Sequence, residues 1–542
     1  MILRKLTGFI LVTIALIAGE DVVAGTLTTA ALKKYAEQFN AQDQELYPQA
    51  IPNSEAVAFL SRNIPLFECP EKNVESTYYF RWWTYRKHIR KTPDGYIITE
   101  FLPKVPWSGK YNAIPCSGTH QYREGRWLHD STYLQDYTAF WLQHSGTNPK
   151  YKGLKCVLGH GFPLPDALWQ LHLVHPCANL LIKFMPEMAA NYEELKKRRK
   201  TETKLYWSKD GGWEGDGMEM AIGGPGIRPT FNSYMFAQAT ALSEIALIKG
   251  DTKQAQYYVE EAELIRSQIV ELLWDEQNNF FTVMRFRDIP QRKLAEVREL
   301  LGYVPWYYSI PPKGRGYEEA WRQLMDPEGF RAPYGPTTAE QRHPGFLVDY
   351  NGHECQWNGP SWPYATAQTL TAMANVLQDY PQDVISRRDY FDSFLTYTKC
   401  HKLEKEDGSV VPWIDENLNP YTGDWLARTR LKTWKNGIWS NEKGGIERGK
   451  DYNHSTYADL VITGLVGLRP RSDDVIEVDP LLPDDTWDYF CLDNVSYHGR
   501  LITIVWDETG DKYKKGKGLR VFSSGELVAS SATLSRIAGK LK

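Results

Sequence analysis

Apolar positions recur every three or four residues along much of the chain, and each such run stops at a residue that cannot continue a helix. Asn232 to Lys249 keeps this spacing and ends at Gly250; Thr252 to Trp274 resumes it behind an Asp-Thr start signal. Two helices joined this tightly predict an antiparallel hairpin. Trp362 to Leu377 and Arg387 to Cys400, broken by Tyr380-Pro381, predict another pair, and Ala31 to Asn40 and Ser455 to Leu468 predict further helices. Ser76 to Trp83 and Gly95 to Thr99 are instead rich in aromatic and β-branched residues and predict strands. After Pro470 the pattern turns to short strands, Val475 to Val478, Leu501 to Trp506 and Gly518 to Phe522, separated by Asp, Gly and Lys turns. No fixed-period repeat runs through the chain, which argues against a regular solenoid. Paired helices with long loops at one end predict a mainly α fold, an α/α toroid, followed by a small C-terminal β-domain.

The expected division is a signal segment 1–24, an N-terminal cap 25–114, a helical catalytic domain 115–470 and a β-domain 471–542. The first segment carries Arg4 and Lys5, a nearly unbroken apolar run from Phe9 to Ala18, and small residues at Val22-Val23-Ala24. The run is short for a membrane span, so cleavage and release to the periplasm or the exterior are expected, with no stable membrane insertion afterwards.

Composition narrows the partner class. A formal net charge of −4 gives no electrostatic reason for a nucleic-acid partner. The 19 Trp and 32 Tyr are many for 542 residues; most must serve the core, and a minority can line a carbohydrate cleft. The seven Cys are scattered without a CxxC, and His172 and His175 lack convincing ligand spacing, so neither a metal nor another cofactor is expected.

The long loops hold the candidate chemistry. Trp413-Ile414-Asp415-Glu416 leads into Asn417-Leu418-Asn419-Pro420-Tyr421-Thr422-Gly423, a carboxylate beside a turn with aromatics on both sides. Gly211-Gly212-Trp213-Glu214-Gly215-Asp216-Gly217-Met218-Glu219 puts three acids among glycines that permit close backbone approach, and Arg228 and Asn232 follow it. His353-Glu354-Cys355-Gln356-Trp357-Asn358-Gly359-Pro360-Ser361-Trp362-Pro363 interleaves amides and indoles before a helix. In Gly125 to Tyr137, Arg126, Asp130 and Asp136 suit either sugar hydroxyls or a buried ion-pair network. Two carboxyl groups flanking a bond are what most glycoside hydrolases need.

Together these segments resemble the inverting glycoside hydrolases of the trehalase, processing α-glucosidase (glycoside hydrolase family 63) and mannosylglycerate hydrolase-like group. Gln356 to Pro363 resembles the trehalase Gln-Trp-Asp-x-Pro-x-x-Trp-x-Pro signature, shortened and with Asn358 for Asp, and lies closer to the Tyr-Trp-Arg-Gly-Pro-x-Trp pattern of the glucosidase relatives. Glu416 to Gly423 resembles their Glu-Asn-Tyr-Asp/Asn-Pro-x-Thr-Gly segment, and Asp216 to Ala221 their Ser-Gly-Trp/Met-Asp-x-Ser segment. Gly125 to Tyr137 faintly echoes the trehalase Gly-Gly-Arg-Phe-x-Glu signature. The resemblance spans roughly residues 115–470. It implies an (α/α)6 barrel (the six-hairpin glycosidase architecture), inversion at the anomeric carbon, Glu416 as general base, and Glu219 as general acid by position with Asp216 competing. Trp357, Trp362 and Trp413 become stacking walls, with Trp213, Arg126, Asp130, Arg228, Asn232, Gln356 and Asn358 as further sugar contacts. The expected function is therefore hydrolysis of a glycan or oligosaccharide end. A lyase or sugar epimerase using a base among His120, His129, His353 and His454, or a non-catalytic carbohydrate-binding protein, are the other readings.

Overall fold

The computed structural model describes residues 25–146, 159–349, 353–433 and 438–541; the expected signal segment, 1–24, lies outside the described residues. The body is helical and the C-terminus is β. The expected hairpin is present as helices Pro229–Lys249 and Thr252–Leu273. Pro229 opens the first helix where its missing N–H costs nothing, and Gly250 closes it in the left-handed region at φ 81°. Asp251 then caps the second helix, accepting from Gln254 N. Pro363–Asp379 and Arg387–Lys399 form the other expected pair, the latter opened by a Ser386–Asp389 capping box. No helix among the described residues is long and apolar enough to cross a membrane.

Two expectations need correction. Ser76 to Trp83 is not a strand: it lies within the helix Lys72–His88, of which fourteen of seventeen residues are buried. A helix surrounded on every side shows no amphipathic period, so its aromatic composition alone suggested a strand. Ser455 to Leu468 is helical only over 458–465, most of it as a wide turn at Leu460–Leu465. Ahead of it, the buried Glu124 carboxylate accepts from the backbone N–H groups of Tyr457, Ala458 and Asp459. A distant side chain thereby satisfies donors that a regular helix would have used, or left orphaned, at its own start.

After residue 470 the strands Val475–Val478, Tyr489–Tyr497, Arg500–Asp507, Gly518–Ser523, Glu526–Ser531 and Ile537–Lys540 follow in order. Four of them build an antiparallel sheet, and its fifth, edge member is Leu66–Glu68 from the N-terminal region, paired Leu66 to Asp493 and Glu68 to Cys491. Leu27 N also donates to the Asp493 carboxylate at 2.7 Å. The two ends of the chain are thus stitched together beside the helical body. Gly95–Ile98 is a strand as expected, paired with Ile89–Thr92, and the chain leaving it carries Glu100 toward the site.

Candidate active site

Three loops meet because their backbones are bonded to one another. Trp357 N donates to Glu219 O at 3.0 Å, tying the tryptophan loop to the glycine-rich loop. Ser361 and Leu418 exchange both backbone bonds, and Asn417 Nδ2 donates to Glu354 O at 3.1 Å, tying the tryptophan loop to the Glu416 loop. The Asn-Pro-x-x-Gly turn itself is an Asx turn, Asn419 Oδ1 accepting from Tyr421 N and Thr422 N, and its tip is exposed. Its purpose is to fix the chain just before it, where Glu416 is 1% exposed.

These loops enclose a cavity of about 220 Å³ whose walls include Glu219, Glu416, Glu354, Glu100, Trp357 and Trp362. The two indoles stack with ring centroids 4.4 Å apart. Glu219 lies 3.0 Å from His353 Nε2, and a Cβ on Gly211 would come within 2.7 Å of its side chain. Any larger residue at Gly211 would force the Glu219 side chain to shift. Burial pushes the Glu219 carboxyl above the usual carboxylate range, against the pull of His353.

Glu416 is held by Arg448, which is fully buried: Nε donates to Oε1 at 2.5 Å and Nη2 to Oε2 at 3.0 Å. The same guanidinium donates from Nη1 to Glu354 at 3.2 Å, and Lys443 also bonds Glu354. Burial raises the Glu354 carboxyl, but the charges of Arg448 and Lys443 outweigh it and the net shift is downward. Glu100, also in the wall, accepts from Tyr452 Oη and, at 3.4 Å, from Cys116 Sγ; burial pushes it up to about 7. Asp415, beside Glu416 in the chain, is also pushed up to about 7, by burial and then by the Glu416 charge.

Several expected site residues lie elsewhere. Asp216 does not line this cavity; it is locked to Arg228 at 2.6 Å, with Thr230 also donating to it, and all three are buried. Both Asp216 and Arg228 are therefore spent on each other. Asn232 is fully buried and bonds the backbone of Tyr206. Arg126 is the buried ion-pair alternative: it meets Asp459 at 2.7 Å, and Trp127 Nε1 donates to the same carboxylate. Asp130 is exposed and accepts from Thr132 N. Trp213 is 38% exposed and packs on His160. Gln356 and Asn358 bond one another behind the wall. Trp413 lines a separate cleft of about 540 Å³, with Arg428 over its ring. His172 and His175 are engaged by backbone groups, His172 Nδ1 by Cys177 N and His175 Nε2 by Leu128 O.

Glu100, Glu354, Lys443 and Arg448 were not anticipated as site residues. Glu354 stood unremarked inside a segment of interest. Arg448 offered only a weak sign, a cation between glycines in Gly444 to Gly449; a Cβ on Gly449 would strike Asp415 at 1.7 Å, so the backbone beside Arg448 passes directly over that carboxyl.

A helical body whose loops gather carboxyl groups around a pocket walled by stacked indoles defines a carbohydrate-active class of domain. Within it, the chain belongs to the mannosylglycerate hydrolase MGH1-like glycoside hydrolase domain family, whose profile matches residues 110–455. A second profile, that of the glycosyl hydrolase family 65 C-terminal domain, matches residues 468–529. A solved structure titled "Sialidase" is 41% identical, with a TM-score of 0.85, over 95% of this chain and 45% of that one. The chain thus spans somewhat under half the length of that relative. A family GH78 rhamnosidase of Bacillus sp. GL1 shares the fold at 11% identity and a TM-score of 0.52, over 82% of this chain and 40% of its own.

Proposed function

We propose that the protein is an exported glycoside hydrolase that removes a neutral sugar from a glycan end with inversion, its helical body forming an (α/α)6 toroid. The observation that carries this reading is that Glu219 and Glu416, nearly 200 residues apart, line one cavity while Asp216 does not. Glu219, raised by burial, is the general acid: it gives its proton to the glycosidic oxygen as the bond to the anomeric carbon breaks. Glu416 takes a proton from the water that forms the new bond on the opposite face. The charge-compensating Arg448 fixes its orientation. The carboxyl groups should stand roughly 6.5–9.5 Å apart to admit that water.

The small volume favours a single terminal ring over a long chain segment, ligand pockets for larger molecules running to about 300–1,000 Å³. Four buried polar atoms in the wall have no partner among the described residues: Glu354 Oε2, Trp357 Nε1, His160 Nδ1 and His454 Nε2. Sugar hydroxyls, which both donate and accept, suit that mixture. The wall cation Lys443 and the Arg448 behind Glu416 are both held by carboxylates. Burial pushes His160 down to about 4 and His454 well below the ordinary value, so both are neutral. An acidic sugar therefore gains little here, and the relative's sialidase title is not carried over to this domain.

The test is a panel of neutral and acidic oligosaccharides and aryl glycosides, with the first-formed anomer read by NMR. A released neutral sugar of inverted configuration is expected, with Glu416→Gln slowed about 10²–10⁴-fold. A retained anomer, preference for acidic sugars, or an ultraviolet-absorbing unsaturated product would reject the reading.

A further inference from the structure

Among the polar groups of the cavity wall that the two-carboxylate scheme does not use, Cys355 is the one bonded to the proposed base. Cys355 Sγ lies 3.2 Å from Glu416 Oε2, and Arg448 Nη2 approaches the same sulfur at 3.7 Å. Cys355 lines the cavity and sits directly after Glu354, whose carboxylate shares Arg448 with Glu416. We infer that Cys355 is a positioning residue: its thiol closes Oε2 of Glu416, leaving Oε1 as the atom that receives the proton of the attacking water. The inference rests on the proposed role of Glu416 as base.

A carboxylate offers about four acceptor sites, two on each oxygen. Oε2 accepts from Arg448 Nη2 and from Cys355, so both of its sites are taken. Oε1 accepts from Arg448 Nε and keeps one site. With Glu416 buried and turned to the cavity, that site is the place for water. The thiol can only donate to a carboxylate, and it stays protonated: burial first, then the Glu416 charge, holds it well above the ordinary thiol range. Other ionisable groups around Glu416 are Arg448, Asp415 and Glu354, with Glu100, Tyr452, Glu219, His353, Lys443 and His454 lining the same cavity. None of them supplies the second donor on Oε2.

Removing the thiol should do two things. An open Oε2 site lets water bind in a second, unproductive place, so kcat falls. A donor lost from the ionised form makes Glu416 easier to protonate, so the acid limb of the rate profile moves to higher pH. Serine restores a donor. The experiment compares wild type, Cys355→Ala, Cys355→Ser and Glu416→Gln on 4-nitrophenyl glycosides of neutral hexoses, with initial rates against pH. It adds the infrared S–H stretch, isolated as the difference from Cys355→Ala. For Cys355→Ala we expect KM within about twofold, kcat down about tenfold and the acid limb up by about one pH unit, as for loss of one hydrogen bond to a charged group. In Cys355→Ser the limb returns to the wild-type position. The S–H band shifts to higher frequency in Glu416→Gln, because a neutral amide accepts less strongly. A packing role alone would lower stability without moving the limb. An unmoved limb in Cys355→Ala with Glu416→Gln inactive overturns this inference alone. Full activity in Glu416→Gln removes the proposed base and this inference with it. The infrared band needs no substrate: if it is the same in wild type and Glu416→Gln, there is no thiol–carboxylate bond and the inference fails.

Discussion

Arg448 is the residue whose loss should be felt most. It is fully buried, and it is the cation on Glu416 and one of two on Glu354. Arg448→Met removes the charge and roughly keeps the volume of the stem, leaving Glu416 with no ion-pair partner and Glu354 with Lys443 alone. Breaking a buried pair from one side costs about 3–5 kcal/mol, because the remaining charge stays desolvated. The pH dependence has a definite sign. Arg448 is among the groups that hold the Glu354 carboxyl below its ordinary value, so its contribution is present above the unfolded carboxylate range and is lost as pH falls through the folded one. The deficit of Arg448→Met relative to wild type should therefore be full at neutral pH and shrink as pH falls through the lowered Glu354 range. Urea unfolding followed by tryptophan fluorescence at several pH values measures it. Arg448→Lys should recover only part, since an ammonium cannot reach both oxygens of Glu416 and also Glu354 from one rigid fork. A neutral-pH stability within about 1 kcal/mol of wild type, or a deficit that does not shrink in acid, would show that Arg448 does not hold this cluster together electrostatically.

Other outcomes follow from the same contacts. Glu219→Gln should slow glycosides with poor leaving groups far more than activated aryl glycosides, whereas Asp216→Asn should lower stability by about 3 kcal/mol, as for a broken buried pair, without altering leaving-group dependence; kinetics on a leaving-group series and urea melts separate the two. Glu100, pushed up to about 7 by burial, favours folding below the unfolded carboxyl range and loses that contribution as pH rises through about 7; Glu100→Gln should flatten this fall in stability between about pH 4.5 and 7.5. Activity should decline on the alkaline side as Glu219 ionises, the acid having to be protonated, and a pH–rate profile reads that limb. Cell fractionation and N-terminal sequencing should find the mature protein outside the cytoplasm and beginning near Gly25.

Much of this protein is written locally. The helices on either side of Gly250 were legible because their starts and stops are chemical: Pro229, the left-handed glycine, the Asp251 cap. So were the later strands and the Asx turn after Glu416, and with them the three loops that hold Glu219, Trp357 and Glu416. Where those loops go was not local. The Lys72–His88 helix hides its period by being buried all round, and the Ser455 segment yields its backbone donors to Glu124, more than 330 residues away. The division of charged residues between chemistry and scaffolding was equally out of reach. Arg126 finds Asp459 333 residues on, Asp216 turns to Arg228, and Arg448 joins Glu354 to Glu416. A carboxylate is a candidate acid when it meets a cavity and a structural anchor when it meets a buried guanidinium. The sequence specifies the carboxylate, but the burial and the partner that decide between those fates exist only once distant segments pack.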